Sequence, residues 1–529
     1  MHEVIIVGSG PAGVAAALQF SNKGVKPLIL DVGNAKKNNS SRVEGNLYAY
    51  RKQHDCFKLL IGEKFQRLSN LGNEKPVPLK LTAPNVGYVT KDAQRFSPID
   101  ETNFNAIQSF ATGGLANAWS AGLYRYNDHD LEEFPFQEGD LAPYFDKLTQ
   151  EIGISGTDDD LTPYFGSTRF LQPPMKLAHN AERLYRSYQR KKAVSRRFGF
   201  YLGHPRVCVL SEAKDGRPPC DYSNMEFWQD LPYIYTPLMT LEKLINNGKV
   251  LYRKGVLVES WFEKPEGIWV EGIQTDTNQP IRFKGKKLIL AAGAINTAKI
   301  VLKTYQDCQT KLTLLDNPTL QIPFVLPSSL GHRLEIDAFG LVILNLIWES
   351  TPFNCILQGT ILELTSLMRA DFFGNLPFSA NANLALIRYL LPAMLGMQLF
   401  FPASIQKPSS LSLLENGHIH IQGQPNTIDL SKIKGLLRHF RRLGAWSHPL
   451  LVMKVPTGHT IHYAGTLPLR SSPEKKYECN PFGRLYGSHN VFIADSSGFP
   501  MLPAKNMSFT MMANAMRIAD YVIRELKEN

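Results

Sequence analysis

Cysteine is scarce. Six occur in 529 residues, Cys56, Cys208, Cys220, Cys308, Cys355 and Cys479, and no two form a C-x-x-C pair. So thin a set excludes a disulfide framework and fits reduced thiols in a cytoplasm. Cys208 and Cys220, with His204 nearby, match no zinc spacing, so no metal is expected. Long hydrophobic runs are also missing. The longest, 383–404, is broken by Arg388, Pro392 and Gln398 and makes a poor transmembrane helix. It reads as a buried element, with a surface dip into lipid headgroups as the alternative. No secretory leader is expected, because the first apolar run starts at Val4 and is needed as a strand. There is no internal repeat and no nucleic-acid-binding motif. The net charge of +11 favours anionic surfaces or substrates, but it is spread along the chain. With 43% hydrophobic and 20% charged residues, disorder is excluded, and the length calls for two domains or more.

What is present begins at once. Residues 3–8, EVIIVG, read as a short buried parallel strand; GPAGVAAALQFSNKG reads as a helix ending at Gly24; KPLILDVG reads as a second strand. Gly8, Gly10 and Gly13 form G-x-G-x-x-G between the first strand and the helix. The first glycine permits a tight turn, the second lets backbone approach a pyrophosphate, and the third lets helix and strand pack closely. Asp31 ends the next strand eighteen residues after Gly13, where a carboxylate can accept hydrogen bonds from a ribose. The pattern predicts a dinucleotide cradle and does not by itself separate NAD from FAD.

Residues 34–100 are polar and poorly periodic and read as an excursion. A helix is expected to start at an Asp, with Pro following, in 139–149. Basic stretches at 183–197 and 429–444 read as solvated helix faces. Strands are expected at 249–258 and 267–273, strand–turn–helix at 286–305, and apolar strands mixed with loops over 310–455. The chain closes on a strand, an irregular loop and a long helix.

Four separated segments resemble the glucose–methanol–choline (GMC) family of FAD oxidoreductases. They are VIIVGSGPAG…LILDVG at the start, ATGGLANAWSAG at 111–122, LILAAGAINTAKIVL at 288–302, and the C-terminal run from HYAGT through RLYGSHNVFIADSSGFPMLPAKNMSFTMMANAMRIADYV. The resemblance implies an α/β fold with an α+β substrate part: a Rossmann-like FAD-binding domain on a parallel sheet, and a second domain whose mainly antiparallel sheet covers the flavin. It assigns 1–35, 105–130, 236–305 and 456–529 to the cofactor domain, 36–104 to an excursion or lid, and 131–235 with 306–455 to substrate binding. It makes His462 the active-site histidine and Asn506 the second catalytic residue, a His–Asn pair like that of the pyranose oxidase, glucoside 3-dehydrogenase and cholesterol oxidase branches. Against FAD it sets Gly8, Gly10, Pro11, Ala12 and Gly13; Asp31 and Val32; Gly113, Gly114, Asn117 and Ala118; and Val256. It adds Ala292 and Gly293, Asp495 and Ser496, and Asn506, Met507 and Ser508. Leu115 and Ala116 stand where a serine is often found, and Ala118 stands where pyranose oxidases carry a histidine bonded to FAD, which implies non-covalent FAD.

The implied reaction is oxidation of an alcohol to a carbonyl. A neutral histidine suits the role of base, and Asn506, which cannot take the proton, suits the role of hydrogen-bonding the substrate oxygen. His459, three residues before His462, would face the other way on a strand and reads as structural. Trp119, Tyr124 and Tyr126 read as core aromatics. A sugar or glycoside hydroxyl is the expected substrate. A sterol or lipid alcohol is the runner-up, encouraged by the apolar 340–404 region, and a flavin lyase or decarboxylase on the same fold is a further alternative. The partner is a small-molecule alcohol; the electron acceptor (oxygen, quinone or redox protein) and contact with a membrane surface are left open.

Overall fold

A strand, His2–Val7, a helix, Pro11–Asn22, and a strand, Leu28–Leu30, open the fold as the sequence pattern requires. The computed structural model describes residues 1–36, 53–55, 58, 78–82, 84–166, 169–224, 231–332, 341–363 and 378–528. Most of the expected excursion, Cys56 and part of the apolar 340–404 region therefore lie outside the described residues.

Val4, Ile5 and Ile6 are fully buried because parallel neighbours flank them on both sides. Leu28–Leu30 pairs on one side and Pro280–Leu290 on the other. Leu251–Arg253 extends the parallel run at one edge, and Val491–Ile493 pairs in parallel with Pro280–Leu290. Two antiparallel strands, Val256–Lys264 and Gly267–Gln274, complete a seven-stranded sheet among the described residues. The closing helix, Ser508–Glu528, lies against the first helix, where Gln19 Nε2 donates to Asp520 at 2.5 Å. The ends of the chain thus pack together beside the cradle.

A second, antiparallel sheet holds six described strands. In order they are Met453–Lys454, Thr319–Val325, Met394–Phe400, Cys355–Glu363, Val342–Ser350 and Phe200–Gly203. The parallel and antiparallel sheets of the expected α/β and α+β architecture are both present. A smaller sheet pairs Ile99–Thr102 with Ile419–Gln422 in parallel.

Two local expectations need correction, and a third is filled in. The helix expected to begin at an Asp runs Glu138–Ile152, and the Asp140 carboxylate accepts from the Gln137 N–H at 2.9 Å, so the acid caps from inside the first turn. The 383–404 stretch is not one buried element. It is a helix, Ala380–Leu390, that exposes Leu384 and Tyr389, followed by a central strand whose Leu395, Met397 and Leu399 are buried. No described helix is long and apolar enough to cross a membrane. The basic 429–444 stretch contains a helix, Lys434–Leu443, that is solvated on one face only; its Leu436, Leu437, Phe440 and Leu443 are buried, and Phe440 stacks on Phe324 of the antiparallel sheet.

Candidate active site

One cavity of about 620 Å³ runs from the glycine turn to the antiparallel sheet. Its floor is backbone. Gly8 has φ +98°, and a Cβ there would lie 2.5 Å from the Ala291 carbonyl oxygen. A Cβ on Gly13 would lie 2.0 Å from the Gly8 oxygen, whereas one on Gly10 would meet nothing within 4 Å. Gly8 and Gly13 therefore serve packing, and Gly10 leaves room for a ligand. No side chain caps the helix Pro11–Asn22, so its first N–H groups remain available beside the cavity that Gly10, Pro11 and Ala12 line.

Asp31 and Val32 stand at the rim of this floor. Ser9 and Tyr252 hydroxyls both donate to the Asp31 carboxylate, Tyr252 at 3.1 Å. Burial nevertheless pushes the carboxyl up to about 6. Val256, Ala292, Gly293, Asp495 and Ser496 also line the cavity. Asp495 is buried and accepts from the Gly293 N–H at 2.8 Å and Thr297 Oγ1 at 2.5 Å, locking two distant segments together. Open backbone at Gly10, uncapped helix N–H groups and a carboxylate at the second strand's end together fit a dinucleotide such as FAD. The Gly-Gly segment divides: Gly114 lines the cavity, but Gly113, Asn117 and Ala118 do not, and neither does Gly13 of the first turn. Asn117 Nδ2 donates to the Thr112 and Gly114 carbonyls at 2.7 and 3.0 Å, so its visible work is to staple the turn.

At the other end of the cavity lies the turn 458–462. Asp316 fixes it, accepting from the Gly458 N–H at 2.8 Å and Thr460 Oγ1 at 2.7 Å. Ile461 sits at φ +66°, a strained position for a β-branched residue, immediately before His462. His462 Nδ1 lies 3.0 Å from Asn317 Oδ1. The Asn317 amide is fixed by its Nδ2, which donates to the Phe401 and Pro503 carbonyls at 2.8 and 2.9 Å. An amide oxygen only accepts, so the proton of His462 sits on Nδ1 and Nε2 keeps its lone pair. Burial, and then the Lys80 ammonium on the same cavity, push this imidazole down to about 3. It is therefore neutral in the resting site.

His459 does not face away, contrary to expectation. The segment is a turn and not a strand, and His459 lines the same cavity. Asn105 Nδ2 lies 3.2 Å from its Nδ1. An amide nitrogen only donates, so Nδ1 accepts and Nε2 carries the proton. The two histidines are held in opposite tautomers.

Asn506, Met507 and Ser508 line the same cavity. Asn506 Oδ1 accepts the Ser508 N–H at 2.8 Å, which commits its oxygen to the start of the closing helix and leaves its NH₂ as the group to offer a ligand. The neighbouring Lys505 is buried; its ammonium pairs with Asp130 and donates to the Tyr164 carbonyl at 2.6 Å, anchoring the loop.

The antiparallel sheet forms the ceiling. Gln321, Gln398 and Thr360 stand directly opposite one another on three adjacent strands, so all three face the same side. The next row on that face is Thr319, Phe400 and Gln358. All six line the cavity. Gln358 is buried, and its Oε1 has no hydrogen-bond partner among the described residues. The Phe400 ring stacks on His462 at 5.4 Å between centroids. Sequence reasoning expected a sheet here but missed its residues, along with Asn317, Asp316 and Lys80. Of the three aromatics read as core, Trp119 and Tyr124 line the cavity and Tyr126 is core.

Comparison with known proteins agrees with this geometry. Residues 451–515, which carry His462 and Asn506, match the family described as GMC oxidoreductase. A C-glycoside 3-oxidase from Microbacterium trichothecenolyticum is 22% identical over 575 residues, covering 99% of this chain and 97% of the relative. Among solved structures, formate oxidase from Aspergillus oryzae RIB40 superposes with a TM-score of 0.61 at 13% identity, covering 100% of this chain and 99% of that one. Pyridoxine 4-oxidase from Mesorbium loti gives 0.58 at 11% identity over 98% and 99%. At such identities the structures speak for the fold. The family match speaks for the chemistry: over residues 451–515 the chain is similar to the GMC oxidoreductases, in line with an FAD-dependent oxidoreductase.

Proposed function

We propose that the protein oxidises a ring hydroxyl of a sugar or glycoside to a carbonyl, with His462 as the base. The observation that carries this reading is the fixed tautomer of His462: Nδ1–H donates to Asn317 Oδ1, so the lone pair of Nε2 remains for the cavity. FAD, when bound, supplies the two-electron acceptor for the hydride that leaves the carbinol carbon. His462 Nε2 takes the hydroxyl proton, and the Asn506 NH₂ donates to the same oxygen and orients it. His459, with its proton on Nε2, can only donate from that atom and serves as a second hydrogen-bond donor. Help from a base of this kind is worth about 10²–10⁴-fold.

The ceiling supports a carbohydrate over a sterol. Gln321, Gln398, Thr360, Gln358 and Thr319 present amides and hydroxyls, which match a ring of hydroxyl groups, and Phe400 supplies one apolar face. A sterol there would bury these groups unpaired, at about 1–3 kcal/mol each. The glycoside oxidase relative points the same way. FAD is held non-covalently in this reading: Ala118 offers no nucleophile and does not line the cavity. The chain divides as the family resemblance implies, with the cofactor domain assembled from separated segments and 131–235 with 306–455 binding substrate. Among the described residues five cysteines are unpaired, which supports a reducing compartment.

Anaerobic absorption spectra of the purified protein test the reading. Sugars and glycosides should bleach the flavin band, and acid precipitation should release the flavin into the supernatant. If sterols bleach the band and no glycoside does, the substrate assignment fails. If flavin stays with the precipitate, the non-covalent assignment fails.

A further inference from the structure

One face beside the cavity mouth combines large exposed apolar side chains with unpaired cations. The segment 446–454 runs along the edge of the antiparallel sheet, with Trp446 opposite Val325 and Met453 opposite Gln321. It exposes Trp446, Leu450, Leu451 and Met453; Leu450 is 87% exposed. Such protrusion of leucine into water is costly unless something covers it. Behind this segment lies the helix Lys434–Leu443. Arg441 stacks on the Trp446 ring at 3.9 Å, and Arg442 lies 5.4 Å from the ring of Phe198, which is also exposed. Lys191 donates to the Arg442 carbonyl, which joins the second basic stretch to the same face. Among the described residues, Arg438, Arg441 and Arg442 form no ion pair with a carboxylate, whereas Lys454 acts on the Asp429 carboxylate and Lys192 and Arg196 of the second stretch pair with Asp160. The apolar rim continues onto the helix Ala380–Leu390, with Leu384 and Tyr389 exposed; Leu326, next to Val325, donates to the Ala393 carbonyl at 2.7 Å. Met453 belongs to both the rim and the cavity lining.

We infer that the face formed by residues 446–454, the helix Lys434–Leu443 and the end of the basic stretch at Phe198 docks on an anionic lipid bilayer surface. Leucines and a tryptophan enter the headgroup layer while arginines and lysines meet lipid phosphates, so both kinds of group find partners at once. A second copy of this chain is a poorer occupant, because a two-fold contact would set the same unpaired arginines against each other. The inference is independent of which alcohol the enzyme oxidises. Its consequence is geometric: Met453 puts the docked surface beside the cavity.

Co-sedimentation of the FAD-loaded protein with vesicles tests it, using phosphatidylcholine alone and phosphatidylcholine mixed with phosphatidylglycerol. The mixed vesicles should bind roughly tenfold more protein or better, and added salt should weaken the binding. Two double variants, Leu450→Asp with Leu451→Asp and Arg441→Glu with Arg442→Glu, should each lower binding about tenfold while FAD content stays at the wild-type level. Equal binding to both vesicle types, or none to either, overturns the inference. So does loss in the arginine variant without loss in the leucine variant, which would mean diffuse adsorption of a cationic protein. A concentration-dependent dimer abolished by the leucine substitutions would assign the face to a protein contact instead.

Discussion

The two ends of the cavity are built from different materials. At the cradle end the working groups are backbone, and side chains are kept away: a Cβ on Gly8 or Gly13 would strike a carbonyl at 2.5 or 2.0 Å. At the ceiling end the working groups are side chains, each fixed by another from a distant part of the chain. His462 is oriented by Asn317, 145 residues earlier, and Asn317 in turn by the carbonyls of Phe401 and Pro503. In the proposed reading the first end holds a constant cofactor and needs shape. The second must discriminate a substrate and hold a proton in the right place, and needs chemistry. Damage to the two ends should therefore separate into loss of cofactor and loss of turnover.

The largest effects should come from one substitution at each end. Gly13→Ala places a methyl group into the Gly8 carbonyl, with Ala291 Cβ at 3.5 Å behind it, so the turn must open. The purified variant should contain little or no FAD, read from its absorbance per protein. His462→Ala should contain FAD at the wild-type level but lose about 10²–10⁴-fold in the rate of substrate-driven flavin reduction. A Gly13→Ala protein that keeps its flavin, or a His462→Ala protein that is reduced at the normal rate, would erase the distinction between the two ends.

The same distinction explains what the sequence disclosed. Gly8, Gly10, Gly13 and Asp31 lie within one strand–turn–helix–strand unit, so their spacing alone encodes their geometry. The buried run at 288–290 was legible for a similar reason, since apolar residues in parallel strands leave a plain pattern, whereas the single strand expected over 249–258 is two, Leu251–Arg253 and the start of Val256–Lys264. His462 and Asn506 were legible through resemblance and not through spacing. The covering sheet was expected from resemblance, but its lining residues were not legible, because Gln321, Thr360 and Gln398 meet only through the register of three strands, and a shift of one residue would turn each to the other face. His459 was misplaced because a period-two argument was applied to a segment that turns; Asp316 and the positive φ of Ile461 bend it, and neither bears on strand periodicity. Lys80 follows a polar tract with no pattern to mark it.

A smaller effect should come from the ceiling itself. Gln398 occupies the centre of the polar row, between Gln321 and Thr360. Gln398→Leu keeps its volume and removes its hydrogen bonds. Loss of one or two bonds to a neutral hydroxyl costs about 1–2 kcal/mol, or roughly tenfold in kcat/KM. The loss should fall on KM for a glycoside, with FAD content and melting temperature unchanged. A variant equally active on glycosides, or one more active on them, would mean that the row does not contact the substrate.

The smallest effect is electrostatic and concerns Lys80. In the proposed role His462 acts as a base only when neutral, and burial, then the Lys80 ammonium, hold its pKa down at about 3. The sign is set by that depression: activity persists as pH falls through 6.5, where an ordinary histidine would protonate, and fails only nearer the lowered value. The acid limb of flavin-reduction rate against pH should therefore lie well below 6.5. Burial lowers the pKa of Lys80 itself to about 8, and no carboxylate pairs with it among the described residues, so the full charge acts on the cavity at neutral and acidic pH. Lys80→Met removes that charge and keeps the apolar stem. The imidazolium then forms more easily, and the acid limb should move up by about one unit or less. A lysine that only fills space would leave the limb in place while lowering the melting temperature, so the two measurements together decide whether Lys80 acts on His462 through its charge.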